Sequence, residues 1–233
     1  MTAILEATGL RKVYVGGDRS QIEVLNAVDL TVYRGEMVAV VGASGAGKST
    51  LLHLLGALDA PTAGSVRLDG RAYATLREPD RDRLRNREIG FVFQFHHLLR
   101  EFTALENVVM PLRIAGVPRA EAGARAREVL GAVGLAARLQ HRPGQLSGGE
   151  QQRCAVARAI VHRPRLVLAD EPSGNLDHRH SRELHELLAG LARTFDTALV
   201  VATHNRELAE RADRVLWLEH GRLRPATAAE AMA

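Results

Sequence analysis

The chain of 233 residues is 46% hydrophobic and 25% charged, a balance typical of a globular protein with a buried core and not of a disordered one. Its formal net charge is +4, but the arginines alternate with acids, as in Arg77–Glu88. This alternation argues against a uniformly positive surface that could bind nucleic acid. The single cysteine excludes an intramolecular disulfide. Neither the N-terminal residues nor any apolar run has the pattern of a signal peptide or a membrane span, so we expect contact with a membrane only through a partner.

The segments alternate along the chain between strand-like and helix-like patterns. Val24–Val32 alternates imperfectly, and Met37–Val41 is a short apolar run typical of a strand buried on both faces. A glycine-rich loop and an apolar helix follow, and the pattern from about Phe91 to Val161 is mostly helical. Arg165–Asp170 and Thr197–Thr203 then return as buried strands on either side of a helical stretch. This order predicts an α/β core with a parallel sheet.

We interpret residues 1–233 as a single domain with a helical insertion. The catalytic α/β core is expected over about 1–90 and 163–233, and the helical subdomain over about 91–162. The tail after Leu223 is expected to be frayed.

The segment Gly42–Ser49 (GASGAGKS) fits the pattern G-x-x-x-x-G-K-[ST] and lies between a predicted strand and a predicted helix, as the motif requires. Its glycines let successive N–H groups surround phosphate oxygens, and the helix N-terminus adds a favourable dipole. Lys48 would contact the β- and γ-phosphates and Ser49 would bind Mg²⁺. Thr50 stands where a dinucleotide-binding loop needs its third glycine, so the loop predicts a nucleoside triphosphate site. The predicted nucleotide-binding residues here are Gly42, Ala43, Ser44, Gly45, Ala46, Gly47, Lys48, Ser49 and Thr50.

An acidic pair follows the apolar run Arg165–Ala169. Asp170 at the carboxyl end of a strand offers a metal a hard oxygen ligand beside the phosphate loop. Glu171 is placed to polarise a water for attack on the γ-phosphate. Two solvated acids after a strand are the alternative, and the phosphate loop upstream favours the functional interpretation.

A second anion-binding signal lies in Leu146–Arg153 (LSGGEQQR). Ser147 and Glu150 have the spacing of a capping box, so a helix should begin here. Gly148 and Gly149 are poor helix formers and are tolerable where a backbone must approach another group closely. A helix N-terminus flanked by Ser and Gly can bind an anion, although capping alone would also explain the pattern.

The phosphate loop, the LSGGE signature and the acidic pair together resemble the ATP-binding subunit of ABC transporters, over essentially the whole chain. The resemblance implies a P-loop NTPase (RecA-like) α/β core with an N-terminal antiparallel β subdomain and an inserted α-helical subdomain. It also implies an ATP hydrolase that uses Mg²⁺ and powers a membrane partner.

The resemblance further assigns roles to single residues. Tyr14 would stack on adenine, with an ordinary half-buried strand tyrosine as the alternative. The implied catalytic residues are Glu171, His204, Lys48 and Gln94, and the implied Mg²⁺ ligands are Ser49, Gln94 and, through a water, Asp170. The implied loop between subunits comprises Ser173, Gly174, Asn175, Leu176 and Asp177, with serine at 173 where threonine is common. The signature residues acting in trans would be Ser147, Gly148, Gly149 and Glu150.

These roles imply two copies of the chain arranged head to tail. Each nucleotide would lie between Gly42–Thr50 of one copy and Ser147–Glu150 of the other. This arrangement would explain why one chain carries two anion sites for one nucleotide.

Within the family, Leu51–Val66, Gly90–Leu112 and Leu166–Asp177 resemble the lipoprotein-releasing LolD group. That resemblance implies a peripheral subunit on the cytoplasmic face of the bacterial inner membrane, with LolC/LolE-like membrane subunits as partners. Macrolide export of the MacB type and a cell-division ATPase of the FtsE type are alternatives. A nucleic-acid-acting ATPase is a rival from another class, but Ser49–Leu146 is too short for an inserted coiled coil and has no sustained heptads.

The segment that follows Gln94 is semi-apolar and contains two adjacent histidines. Adjacent side chains point to different faces of a strand or helix, so a metal site is disfavoured. We interpret the segment as the surface on which a membrane subunit docks. Its residues are Phe95, His96, His97, Leu98 and Leu99.

Overall fold

The structure, a computed structural model, describes residues 2–17, 20–227 and 229–230. The strands are β1 Ala3–Val15, β2 Gln21–Tyr33, β3 Met37–Val41, β4 Ala63–Leu68, β5 Arg71–Ala72, β6 Ile89–Phe93, β7 Leu166–Asp170, β8 Ala198–Ala202, β9 Arg214–Glu219 and β10 Arg222–Ala226. The α-helices are α1 Lys48–Leu55, α2 Glu78–Glu88, α3 Ala104–Ile114, α4 Arg119–Ala132, α5 Gly148–Ile160, α6 His178–Phe195 and α7 Arg206–Ala209.

The strands form two sheets. The larger has the order β10-β9-β3-β8-β7-β6, and its strands run parallel from β9 to β6. The smaller has the order β2-β1-β4-β5 and is antiparallel. Every residue of β3 is buried, as its continuous apolar sequence predicts. The predicted parallel core and the predicted N-terminal antiparallel subdomain are both confirmed.

Helices α3, α4 and α5 pack together around their own apolar cluster. The helical pattern expected from about Phe91 begins later, at Ala104, because Ile89–Phe93 forms the edge strand β6 of the large sheet. Gly90 lets α5 lie close to this strand, since a Cβ there would be 2.5 Å from the carbonyl oxygen of Ala159. Thr103 and Glu106 begin α3 with a capping box. The exact bounds of the helical subdomain stay a prediction.

The parallel strands share one register at their carboxyl ends. Val40 in β3 pairs with Ala202 in β8, Ala202 with Asp170 in β7, and Asp170 with Phe93 in β6. The segments that follow these residues therefore leave the sheet side by side. This edge is where ligands bind in open α/β sheets.

The C-terminal segment is more ordered than its sequence suggests. Arg224–Ala226 extends β10 and pairs with β9, so the expectation of a frayed tail after Leu223 is wrong for these residues. A tight turn with positive φ at His220 and Gly221 joins the two strands, and the guanidinium of Arg224 lies over the Trp217 ring at 5.5 Å. Residues 228 and 231–233 of the tail lie outside the described residues. In the described part of the chain, no helix is long and apolar enough to cross a bilayer.

Candidate nucleotide-binding and catalytic site

The phosphate loop joins the end of β3 to the start of α1. Lys48 is the first residue of α1, and its Nζ donates hydrogen bonds to the carbonyl oxygens of Gly42 at 2.8 Å and Ala43 at 3.1 Å. The ammonium therefore lies within the loop. The first N–H groups of a helix have no partner inside it, so those of α1 can bind an anion beside this charge.

Two glycines of the loop are required by close approaches of the backbone. Gly42 has φ 152°, and a Cβ there would lie 2.4 Å from the carbonyl oxygen of Leu218 in β9. Gly47 has φ 103°, and its Cβ would lie 2.8 Å from Cγ1 of Val24 in β2. A side chain at either position would displace the loop from the two sheets that support it.

The acidic pair lies at the end of β7. Glu171 has φ 44°, a left-handed conformation that is rare for this residue type and is found most often at functional sites. Its side chain is 17% exposed, and its Oε2 lies 2.9 Å from Nδ1 of His204. The N–H of His204 also donates to Oε2, at 3.3 Å. The fold thus brings together Glu171 and His204, two of the four residues that the resemblance assigns to catalysis.

Gln94 follows β6 and is bonded to the predicted intersubunit loop. Its Nε2 donates to Oδ1 of Asn175 at 3.2 Å, and Nδ2 of Asn175 donates to the carbonyl oxygen of Gln94 at 3.1 Å. Gly174 permits this contact, because a Cβ there would lie 2.9 Å from Nε2 of Gln94. Two hydrogen bonds therefore join the glutamine to the loop.

The signature segment begins α5 as the capping pattern predicts. Ser147 Oγ accepts from the Glu150 N–H at 3.3 Å, and Glu150 Oε2 accepts from the Ser147 N–H at 2.8 Å. This hydrogen bond from Ser147 and the bond from Arg138 Nε lower the pKa of Glu150 to about 2. A Cβ at Gly149 would lie 2.7 Å from Cδ2 of His180, so glycine lets α5 begin close to α6. The N–H of Gly148 also lies in this first turn and has no acceptor within the helix.

Tyr14 lies near the end of β1 and is 40% exposed. Its hydroxyl donates to Oδ2 of Asp59 at 3.2 Å. The ring is therefore accessible from solvent and is held at its hydroxyl end.

The segment Phe95–Leu99 lies partly at the surface. Phe95 is 65% exposed and Leu99 is 46% exposed, whereas Leu98 packs against the apolar cluster of the helical subdomain. Phe95–Leu98 line a cavity of about 300 Å³ together with Arg100, Pro143 and Gln151. Part of this segment is thus core and part is available to a partner.

Arg158 of α5 fixes the backbone of the same segment. Its guanidinium donates to the carbonyl oxygens of His96 at 2.8 Å and His97 at 2.7 Å. His97 has φ 48°, and burial lowers the pKa of His96. The two histidines are therefore held by the helical subdomain and not by each other.

The residues assigned to Mg²⁺ have suitable chemistry for it. Ser49 offers a hydroxyl in the first turn of α1, Asp170 a carboxylate at the end of β7, and Gln94 an amide oxygen after β6. Mg²⁺ prefers such oxygen ligands and completes its shell with substrate phosphates and water. The described residues contain no cluster of three or more His, Cys, Asp or Glu side chains arranged for a metal. The donor set fits a cation that is bound together with a nucleotide.

Two polar contacts beside the site were not predicted from the sequence. Nε2 of His185 in α6 lies 2.9 Å from Oγ of Ser173, and both residues are buried. Nζ of Lys12 lies 2.7 Å from Oδ2 of Asp59. The one signal for Lys12 is that the chain has only two lysines, and no local spacing signals the contact of Ser173 with His185.

Comparisons with known proteins identify the family. A family model described as ABC transporter matches residues 25–174. The Lipoprotein-releasing system ATP-binding protein LolD of Bordetella avium is 57% identical over 97% of both chains. The protein of the same name from Geobacter metallireducens is 56% identical over 96% of this chain and 99% of its own.

Solved structures with the same fold are also ABC transporter cassettes. The dimeric structure of MJ0796, a bacterial ABC transporter cassette, superposes with a TM-score of 0.88 at 36% identity, over 97% of this chain and 99% of that one. A dimeric post-hydrolysis state of the same cassette, bound to ADP and Pi, matches equally well. The chain therefore belongs to the ABC transporter family, as an ATP-binding and ATP-hydrolysing subunit.

Proposed function

We propose that this ATPase powers the release of lipoproteins from the bacterial inner membrane toward an outer-membrane carrier. The observation that carries the proposal is its identity of 53–59% to lipoprotein-releasing ATP-binding proteins from several bacteria, over at least 95% of this chain. Identity at this level over nearly the whole chain extends beyond the short motifs that all ABC ATPases share. The subunit would act on the cytoplasmic face of the membrane, bound to integral membrane subunits of the LolC/LolE type.

The active unit would be a head-to-tail pair of this chain. In each site the phosphate loop of one copy and Ser147–Glu150 of the other would enclose one nucleotide. Two observations support this arrangement: the matching cassette is dimeric in both solved structures, and Ser147 and Gly148 are exposed at a second helix N-terminus in the same chain.

The proposed chemistry follows from the geometry of the carboxyl edge. Lys48 and the first N–H groups of α1 would bind the phosphates, and Glu171 would orient water and accept its proton. His204 has a side chain that is 72% exposed, so it can turn from Glu171 toward a γ-phosphate and leave the carboxylate free for water. Ser49, Gln94 and, through a water, Asp170 would hold Mg²⁺, which would supply positive charge beside the phosphates.

The segment Phe95–Leu99 would receive the membrane subunits. It follows directly on Gln94, which is bonded to Asn175, so a change at the nucleotide can displace the docking surface. Arg158 would transmit this movement to the helical subdomain through its bonds to His96 and His97.

The proposal is tested by purifying the chain with its partners from detergent-solubilised membranes and identifying those partners. The complex is then reconstituted in vesicles, and release of a lipidated protein to a soluble carrier is measured with ATP. We expect release with the native chain and with Glu121→Gln, a matched change on the exposed face of α4, and none with Glu171→Gln. ATP-dependent export of a different cargo, with no lipoprotein release, would contradict the proposed function and leave the ATPase assignment intact.

A further inference from the structure

Lys12 lies in β1, two positions before Tyr14, and has an unusual number of contacts for a surface cation. Its Nζ contacts both carboxylate oxygens of Asp59, at 2.8 and 2.7 Å, and donates to the carbonyl oxygen of Ala60 at 2.8 Å. The same Nζ lies over the Tyr14 ring, 4.9 Å from its centroid. The lysine side chain is 12% exposed, so protein groups replace most of its water.

Asp59 connects Tyr14 to the helix that begins in the phosphate loop. Its Oδ2 accepts from the Tyr14 hydroxyl at 3.2 Å, and its own N–H donates to the carbonyl oxygen of His53 in α1 at 3.3 Å. Burial alone would raise the pKa of Asp59, but hydrogen bonds from Lys12 and the Ala60 N–H hold that pKa below its ordinary value. The carboxylate is therefore ionised, with hydrogen-bond donors on both oxygens.

The segment after α1 is also bonded to the backbone of β1. The N–H of Thr62 donates to the carbonyl oxygen of Arg11 at 2.8 Å, and Oγ1 of Thr62 accepts from the Val13 N–H at 3.0 Å. These bonds lie on either side of Lys12 in the strand. One helix and one ion pair thus set the position of the Tyr14 ring relative to the phosphate loop.

We propose that Lys12 and Asp59 are positioning residues for the base of the nucleotide. They fix the Tyr14 ring, cover one of its faces with a cation, and leave the other face for the purine of a triphosphate bound at Lys48. The inference rests on the proposed stacking of Tyr14 on adenine. A ring that is already held loses little freedom when a base stacks on it, so more of the stacking energy appears as affinity.

The contacts also explain why this arginine-rich chain has lysine at position 12. A compact ammonium can donate to three convergent oxygens and still lie against a ring face, whereas a guanidinium presents its donors in a flat fork. Lys12→Arg should therefore not restore the function of the lysine.

The test compares the binding of ATP with that of inorganic tripolyphosphate, measured by calorimetry on the full chain at one Mg²⁺ concentration. Tripolyphosphate has the phosphates but no base, so it engages the phosphate loop without Tyr14. In Lys12→Met and in Asp59→Asn we expect the affinity for ATP to fall by about fivefold and that for tripolyphosphate to stay unchanged. Arg11→Met, which removes a neighbouring cation that pairs with Glu23, should change neither affinity.

Two results would overturn the inference. Equal losses for ATP and tripolyphosphate would mean that the two residues only support the fold, and unchanged ATP affinity would mean that they do not position the ring. Tyr14→Ala separates the inference from the proposal on which it rests. If Tyr14→Ala weakens ATP alone and the other variants do not, stacking stands and positioning is wrong. If Tyr14→Ala changes nothing, the base contact itself is wrong.

Discussion

His185 should make the stability of this ATPase fall steeply in mild acid. The ring is fully buried in α6, where Nε2 bonds to Ser173 and Nδ1 has no hydrogen-bond partner among the described residues. Burial, with a smaller contribution from the positive charge of Arg211, lowers the pKa of His185 from 6.5 to about 4. Glu207 opposes this shift and His178 adds to it, but neither reverses its direction.

The sign and size of the effect follow from linkage. Because the folded pKa of His185 lies below the unfolded one, the unfolded chain binds more protons between pH 6.5 and about 4. The free energy of unfolding therefore decreases as the pH falls through this window. The shift corresponds to a total of about 3 kcal/mol, of which about 2 kcal/mol is lost by about pH 5.

The assay is urea unfolding of the nucleotide-free chain at about pH 7.5 and about pH 5, followed by circular dichroism. His185→Gln removes the titrating ring and keeps a side-chain N–H that can donate to Ser173. The fall in unfolding free energy between the two pH values should be about 2 kcal/mol smaller in this variant than in the native chain. The half-buried histidines His96 and His162, whose pKa values are also lowered by burial, contribute to both proteins and cancel.

His220→Asn is the matched control, since His220 is exposed and its left-handed turn position suits asparagine. This control should reproduce the native pH dependence. If His185→Gln shows the native dependence to within about 0.5 kcal/mol, the inference that burial makes this ring costly to protonate is refuted.

Three further predictions concern the site. Glu171→Gln should keep ATP binding and lower the hydrolysis rate by at least about a hundredfold, because it removes the proposed base; unchanged turnover would contradict that role. Gly174→Ala should push Gln94 from its contact with Asn175 and lower kcat by about tenfold or more, whereas Gly190→Ala, in open space on α6, should leave kcat unchanged. Leu99→Asp should leave the ATPase of the isolated subunit intact and abolish co-purification with membrane subunits, with the exposed Phe195→Asp of α6 as control; loss of folding would show that Leu99 belongs to the core.

The sequence contains the information for the core of the fold because that information is local. Met37–Val41 is apolar throughout, and the structure forms a fully buried strand over the same residues. Ser147 and Glu150 have the spacing of a capping box, and α5 begins with one. In each case a few neighbouring residues determine the conformation.

Contacts between segments that are distant in the chain were harder to predict from the sequence. Phe91–Phe93 is predicted to begin the helical region, but pairing with β7 and the close approach of α5 at Gly90 make these residues the end of strand β6. The tail residues Arg224–Ala226 are ordered by their pairing with β9. Ser173 and His185 are in contact inside the protein because a turn brings them together, and no sequence pattern predicts that turn. Tertiary pairing overrides local preference in all three places.

The phosphate loop also lies at the seam between the two sheets. Gly42 meets the main chain of β9 in the large sheet, and Gly47 meets Val24 of β2 in the small one. The seam is completed by a hydrogen bond of 2.8 Å from the Asn26 N–H to the carbonyl oxygen of Gly221. A ligand that tightens this loop must therefore fasten one sheet to the other. The nucleotide acts in this respect as a removable part of the core, so the antiparallel sheet should resist hydrogen exchange better when the loop is filled.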